Sequence, residues 1–401
     1  MKKITILIGI IVAIMATLFN TVSAQSTISQ NTIGGTASKE DVQGSQQISN
    51  MEEDIIHLFR EATSNISVHN AFFAMHGDSL EIDLNLSYGR SSEHEPYYLA
   101  SIAKTFTATG VGMLVNQGKL SFRDPITDYL SQDLVEGLHL FDGKNYSAEI
   151  TIAHLLNHTS GLPDYFEDQP ISGSNMINRI FEEPNKFWEP EEIIEFTKAN
   201  FKPHFAPGTD YHYTDTEYVL LGLIAQHVTG LELHEIYQKM IFEPLEMRSS
   251  WLNLRSTPLD SNFIEMAPFY VGESEVSRMN SLSADWAGGG LISTNSDLTS
   301  FMKALVGGEL VSAATWDEMN NYVNESKGTY YGFGLRQWVL KELFPTLPDL
   351  TLIGHSGSTG SFMYYCPELD TYFIGSFNQT EMIKNHILFL EKVLLRVASL
   401  D

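Results

Sequence analysis

The chain has 401 residues, with 24 Lys and Arg against 50 Asp and Glu and a formal net charge of −26. So acidic a surface repels phosphate backbones and anionic lipid headgroups, which argues against a nucleic-acid-binding protein. The single cysteine, Cys366, excludes a disulfide framework, and 43% apolar residues allow a sizeable core if most of the length folds together.

Met1-Lys2-Lys3, an apolar stretch from Ile4 to Phe19 and Val22-Ser23-Ala24 have the order of a secretory signal, so residues 1–24 are expected to be removed and the protein to be periplasmic or secreted. The apolar stretch falls short of the ~20 residues that span a bilayer, and no stable membrane span is expected after cleavage. Residues 25–50, rich in Ser, Thr, Gln, Asn and Gly, read as a flexible spacer, leaving 51–401 as the folded domain. Asn50 can cap a helix carrying Met51, Ile55, Leu58 and Phe59. Ala71 to Met75 and Leu80 to Leu86, with His76-Gly77-Asp78 between them, read as a hairpin. Roughly residues 121–265 are expected to form a mostly helical lobe, in which Tyr218 to Val228 has helical spacing and ends at Gly230. Three late strands, Tyr331 to Leu340, Thr359 to Cys366 and Thr371 to Phe377, precede a helix over Thr380 to Val397. The predicted fold class is α/β (α+β): an antiparallel sheet assembled from both ends of the chain, flanked by N- and C-terminal helices, plus the helical lobe.

Ser101 and Lys104 lie in Tyr98-Leu99-Ala100-Ser101-Ile102-Ala103-Lys104-Thr105-Phe106. On a helix, residues i and i+3 share a face, so Lys104 can reach the Ser101 hydroxyl and manage its proton. An extended run gives way to the helix here, which puts Ser101 in a first turn with free N–H groups. Ile102, Ala103, Phe106, Val111, Met113 and Leu114 make this helix apolar on several sides, and burial of Lys104 favours its neutral, basic form. The same tetrapeptide recurs at Ser300-Phe301-Met302-Lys303, which reads as a solvated face. His154 and His158 have the i, i+4 spacing of paired zinc ligands, but the motif lacks the glutamate of H-E-x-x-H and no third ligand follows from spacing. Capping and packing are the preferred roles. Gly354-His355-Ser356-Gly357-Ser358 breaks a G-x-S-x-G elbow at its last position, leaving Ser356 a structural residue. No cofactor or metal is expected.

Several ordered motifs resemble the serine β-lactamase and penicillin-binding-protein superfamily, most closely its class C β-lactamase, D,D-peptidase and esterase branch. They are Leu99 to Ala108 around Ser101 and Lys104, Ile150 to Pro163, Pro207-Gly208-Thr209 followed by Tyr213-Thr214-Asp215, Gly288-Gly289-Gly290, and Gly354 to Gly360. The resemblance implies a β-lactamase/transpeptidase-like fold. It implies Ser101 as nucleophile, Lys104 as its proton acceptor, Tyr213 as a second acid/base, and the backbone N–H groups of Ser101 and Ser358 as oxyanion donors. Asp215, His355, Gly357 and Ser358 would line the substrate site. Asp215 stands where the family has the asparagine of Y-x-N, and either repels a substrate carboxylate or pairs with Lys104 and shifts the base role to Tyr213. His355 stands for the lysine of K-T-G and grips a carboxylate less firmly. Hydrolysis of a small-molecule or peptide ester or amide through an acyl-enzyme is expected, weak on β-lactams. The alternative is a catalytically quiet envelope protein that binds peptidoglycan fragments or peptides. Oligomeric state is not readable.

Overall fold

A computed structural model describes residues 39–64, 68–90, 92–260 and 264–399. The expected signal and residues 25–38 of the expected spacer lie outside these. Residues 1–43 and 44–401 form separate units. Of the first, only the opening of a helix is described; the sheet, both cores and the helical lobe belong to the second.

Helix α1 spans Lys39–Thr63. It begins well before the predicted cap at Asn50, which corrects the end of the expected spacer. Once Met51, Ile55 and Phe59 are fixed by packing, each further residue adds a backbone hydrogen bond, and no proline interrupts Lys39 to Asn50. The hairpin forms as β1 (Ala71–Gly77) and β2 (Ile82–Tyr88), with Phe73 opposite Leu86.

The late strands are β3 (Val323–Ser326), β4 (Thr329–Tyr331), β5 (Arg336–Val339), β6 (Thr351–Ser356), β7 (Ser361–Cys366) and β8 (Thr371–Ser376). The antiparallel sheet runs β3-β4-β5-β6-β7-β8-β1-β2, so the chain's two ends meet where Phe72 pairs with Ser376. The strand expected over Tyr331 to Leu340 is two strands. Gly332 N–H turns back to the Leu335 carbonyl at 2.7 Å and Gly334 takes φ +67°, a reversal that breaks the ladder. Strands β3 and β6 were not anticipated.

Side chains alternate across the central strands, and both faces are covered. Ala71, Phe73 and Met75 of β1 face one core with Phe373, Tyr364 and residues of α1 and of the C-terminal helix α5 (Asn385–Val397). Phe72, with Met363 and Ile374, faces the other core and the helical lobe. Within the lobe side lie α2 (Ala103–Asn116), α3 (Asp215–Thr229) and α4 (Asn295–Val306). Helix α3 closes on Gly230 in the left-handed conformation at φ +67°. Among the described residues no helix is long and apolar enough to cross a membrane.

Candidate active site

Backbone pairing delivers Ser101 to its position. Tyr97 and Tyr98 pair with Ser293 and Ile292, and Leu99 N–H continues the ladder to the Leu291 carbonyl at 2.9 Å. Ala100 then takes φ +47°, a left-handed conformation unfavourable for a residue with a Cβ, before a 3₁₀ turn over Ala100–Ile102 leads into α2. The loop after β6 holds this bend. Ser361 Oγ donates to the Leu99 carbonyl at 2.6 Å and Thr359 Oγ1 to the Tyr98 carbonyl at 3.2 Å. Gly357 is buried against the bend, where a Cβ would come 2.9 Å from the Ala100 Cβ, and Ser358 is exposed at the loop tip. The two backbones expected to share an oxyanion hole are thus fastened side by side.

Lys104 is fully buried on α2 and has three acceptors: Ser101 Oγ at 3.2 Å, the Gly288 carbonyl at 3.0 Å and Asp215 Oδ1. Each proton of an ammonium therefore finds a partner. Asp215 is the first residue of α3, where the helix dipole favours an anion, and its N–H donates to Asp164 Oδ1 at 2.9 Å. Of the two roles open to Asp215, the structure shows the ion pair with Lys104 rather than a side chain turned to a substrate. Gly288 makes room for it, because a Cβ there would stand 2.5 Å from Asp215 Oδ1.

Tyr213 lies between two cations, with its ring 5.0 Å from Lys104 Nζ and 5.6 Å from the Arg336 guanidinium. Burial, reinforced by Asp215, holds the phenol well above its ordinary range, against the opposing pull of Arg336 and Ser101. The His158 ring lies 4.3 Å from that of Tyr213 and 4.5 Å from that of Tyr331. His158 Nδ1 meets Glu217 Oε2 at 2.5 Å, both groups fully buried. Burial pushes the imidazole down and the carboxyl up.

His355 is fully buried on β6 and does not present a ring nitrogen to a substrate. Its Nδ1 lies 2.7 Å from the Ser356 carbonyl, which can only accept, so Nδ1 carries the proton. Nε2 then accepts from the Tyr331 hydroxyl at 2.9 Å. Burial, then Arg336 and Lys104, keep this imidazole neutral. Substrate contact by His355 is replaced by positioning of Tyr331.

His154 and His158 do not converge on a common point: His154 Nδ1 accepts the Thr151 N–H at 3.2 Å in a capping box. Ser300 is exposed and Lys303 turns to His76 and Asp78, away from the buried constellation. Sequence reasoning missed Arg336, held by Glu325 through two bonds of 2.7 Å, because nothing local marks a strand residue as facing Tyr213. It also missed Asp164 and Asp285. Tyr98 donates to Asp285 Oδ2 at 2.7 Å, and burial with Asp215 nearby raises the Asp285 carboxyl to about 6.

A family model described as "Beta-lactamase" matches residues 78–389. The chain is 26% identical over 332 residues to "Penicillin-binding protein 4*" of Bacillus subtilis (strain 168), covering 77% of this chain and 67% of that one. A D-stereospecific amidohydrolase from Streptomyces sp. superposes with a TM-score of 0.70 at 25% identity, over 82% of this chain and 94% of that one. A D-amino acid amidase from Ochrobactrum anthropi SV3, at 23% identity, shares the fold with a TM-score of 0.69 over 89% and 99% of the two chains.

Proposed function

The chain is a serine hydrolase of the beta-lactamase family, and from that premise we propose that it cleaves amides or esters lacking a free carboxylate next to the scissile bond, through an acyl-enzyme on Ser101. The observation that carries this reading is Lys104, buried and shared between Ser101 Oγ, Asp215 and the Gly288 carbonyl. As Ser101 attacks the carbonyl carbon, its proton passes to Lys104 while Lys104 yields one to Asp215, so the paired carboxylate leaves the base role with Lys104 instead of shifting it to Tyr213. The Ser101 and Ser358 N–H groups meet the oxyanion, an interaction worth about 3 kcal/mol per donor in such sites. Tyr213, a phenol rather than a phenolate, gives its proton to the departing nitrogen or oxygen and is resupplied from Lys104. The bond to the leaving group breaks, and water reverses the sequence to free Ser101.

Electrostatics supports the preference against carboxylates. Asp164, Asp215 and Asp285 cluster near Lys104, and burial, with Asp215 alongside, holds Asp164 and Asp285 above the usual carboxylate range. Arg336 is already paired with Glu325. An uncharged or amine-bearing acyl group fits such surroundings better than an anionic one. The D-stereospecific amidohydrolase from Streptomyces sp. gives amide hydrolysis a precedent on a similar fold. The leader Met1 to Ala24 supports export and work outside the cytoplasm.

Intact-mass measurement after incubation with a fluorophosphonate, for wild type and Ser101→Ala, tests the nucleophile. A panel of D- and L-amino-acid amides beside a penicillin tests the preference. We expect an adduct on the wild type alone, and amide turnover at least about 100-fold above penicillin turnover. An adduct that persists in Ser101→Ala refutes the nucleophile, and penicillin turnover equal to that of the amides refutes the preference.

A further inference from the structure

Behind the Tyr213 segment stands a second cluster of side chains that the hydrolytic steps leave unused. His204 Nε2 lies 2.7 Å and His212 Nε2 3.0 Å from the same oxygen, Asp168 Oδ2. Ligand atoms of the three residues all lie within 4.8 Å of one another, and the two imidazole rings are 3.9 Å apart between centroids. We propose that Asp168, His204 and His212 form a binding site for a divalent transition metal ion of the zinc type.

Two imidazoles and one carboxylate converging from three loop segments are a donor set suited to such an ion, with a remaining position left for water. Donors at 2.0–2.2 Å from a tetrahedral zinc stand roughly 3.3 Å apart, so the N···O separations of 2.7 and 3.0 Å need to widen by about 0.6 and 0.3 Å. Each ring would then carry its proton on Nδ1 and turn the Nε2 lone pair to the ion. The backbones that carry the donors are already fixed. Asp168 N–H donates to the Asp164 carbonyl at 3.2 Å, and Asp168 Oδ2 accepts from Asp164 N–H at 2.8 Å. His204 N–H donates to the Gly161 carbonyl and His212 N–H to the His158 carbonyl, each at 2.9 Å. The side chains keep 18%, 39% and 27% exposure for Asp168, His204 and His212, enough for an ion to enter from solvent. Occupancy would bind the 161–168 loop to the strip that ends at Tyr213, bracing that residue from behind without touching Ser101.

The test uses the mature chain, free of any affinity tag and stripped with a chelator, titrated with cobalt(II) while the visible absorption is followed, and then with zinc(II) in competition. We expect one cobalt(II) per chain with a visible band, displaced by zinc(II). His204→Gln and His212→Gln should each weaken binding about 100-fold or more, since even outer partners of a metal site are worth 10–100-fold. Far-UV circular dichroism checks the fold; His204 is the more exposed of the two, so His204→Gln alone decides if His212→Gln does not fold. No band at one equivalent, or an affinity unchanged in a folded His204→Gln, overturns the proposal.

Discussion

Lys104 has no exposed surface and is shared by three acceptors, one of them Asp215, a carboxylate at a helix start. Two consequences compete at this residue. The pair stabilises a buried charge, and it also places an acceptor beside the amine that must shed a proton before Ser101 can lose its own. Asp215→Asn removes the acceptor and keeps the shape. We expect kcat on an uncharged ester to fall about 100-fold, within the range of general-base contributions, with KM little changed. Breaking a buried pair by removing one partner costs about 3–5 kcal/mol, so the urea midpoint should fall as well. Steady-state kinetics beside a urea titration separates the two effects, and unchanged kcat in a folded Asp215→Asn would falsify the relay. The Ser101–Lys104 relation was legible in the sequence because i and i+3 neighbours meet on any helix. The Lys104–Asp215 contact spans 111 residues, and only the family resemblance brought it into view as one of two options.

Elements show the same division between local and distant information. Hairpin β1–β2 and strands β7 and β8 were readable from alternation and turn residues, and the α3 terminus from Gly230. The split of β4 from β5 was not, because Gly332-Phe333-Gly334 reverses the chain inside a run that is otherwise strand-like. Nor was the placement of Arg336 beside Tyr213, which depends on β5 pairing Arg336 with Gly354 of β6. The glycine-rich segment Gly288-Gly289-Gly290 was recognised by resemblance, and its reason is steric. It crosses α2 and α3 so closely that a Cβ at Gly288 would meet both Asp215 Oδ1, at 2.5 Å, and Lys104 Nζ, at 3.5 Å. Gly288→Ala should therefore spread the pair and lower kcat by up to about 100-fold, the scale of a 1 Å misplacement. Gly110 on α2 is the internal control, since a Cβ there would meet nothing within 4 Å. Gly110→Ala should leave kcat unchanged and raise stability by about 0.5–1 kcal/mol through helix propensity. Equal activity in the two variants would remove the steric account of Gly288.

At the scale of the molecule, a sheet with both faces covered leaves acids inside the protein, and these set how stability depends on pH. One of them is Asp285, raised to about 6 by burial and by the neighbouring Asp215. A carboxyl whose folded pKa exceeds its unfolded value binds its proton more tightly in the native state. Its stabilising contribution is complete below the unfolded value near 4 and is lost as pH rises through about 6. Tyr98 donates to Asp285 Oδ2 in either state, so the hydrogen bond itself does not reverse this sign. Asp285→Asn keeps a neutral, isosteric acceptor for Tyr98 and deletes the titration. Wild type should lose more stability than Asp285→Asn between pH 5 and pH 7, and the two curves should run parallel above about pH 7, where the native carboxyl is already ionised. Urea midpoints for both proteins at pH 5, 6, 7 and 8 measure that difference directly. A constant gap across the series would mean that Asp285 titrates as it does in the unfolded chain, and that the acids around Lys104 interact less strongly than their burial and proximity require.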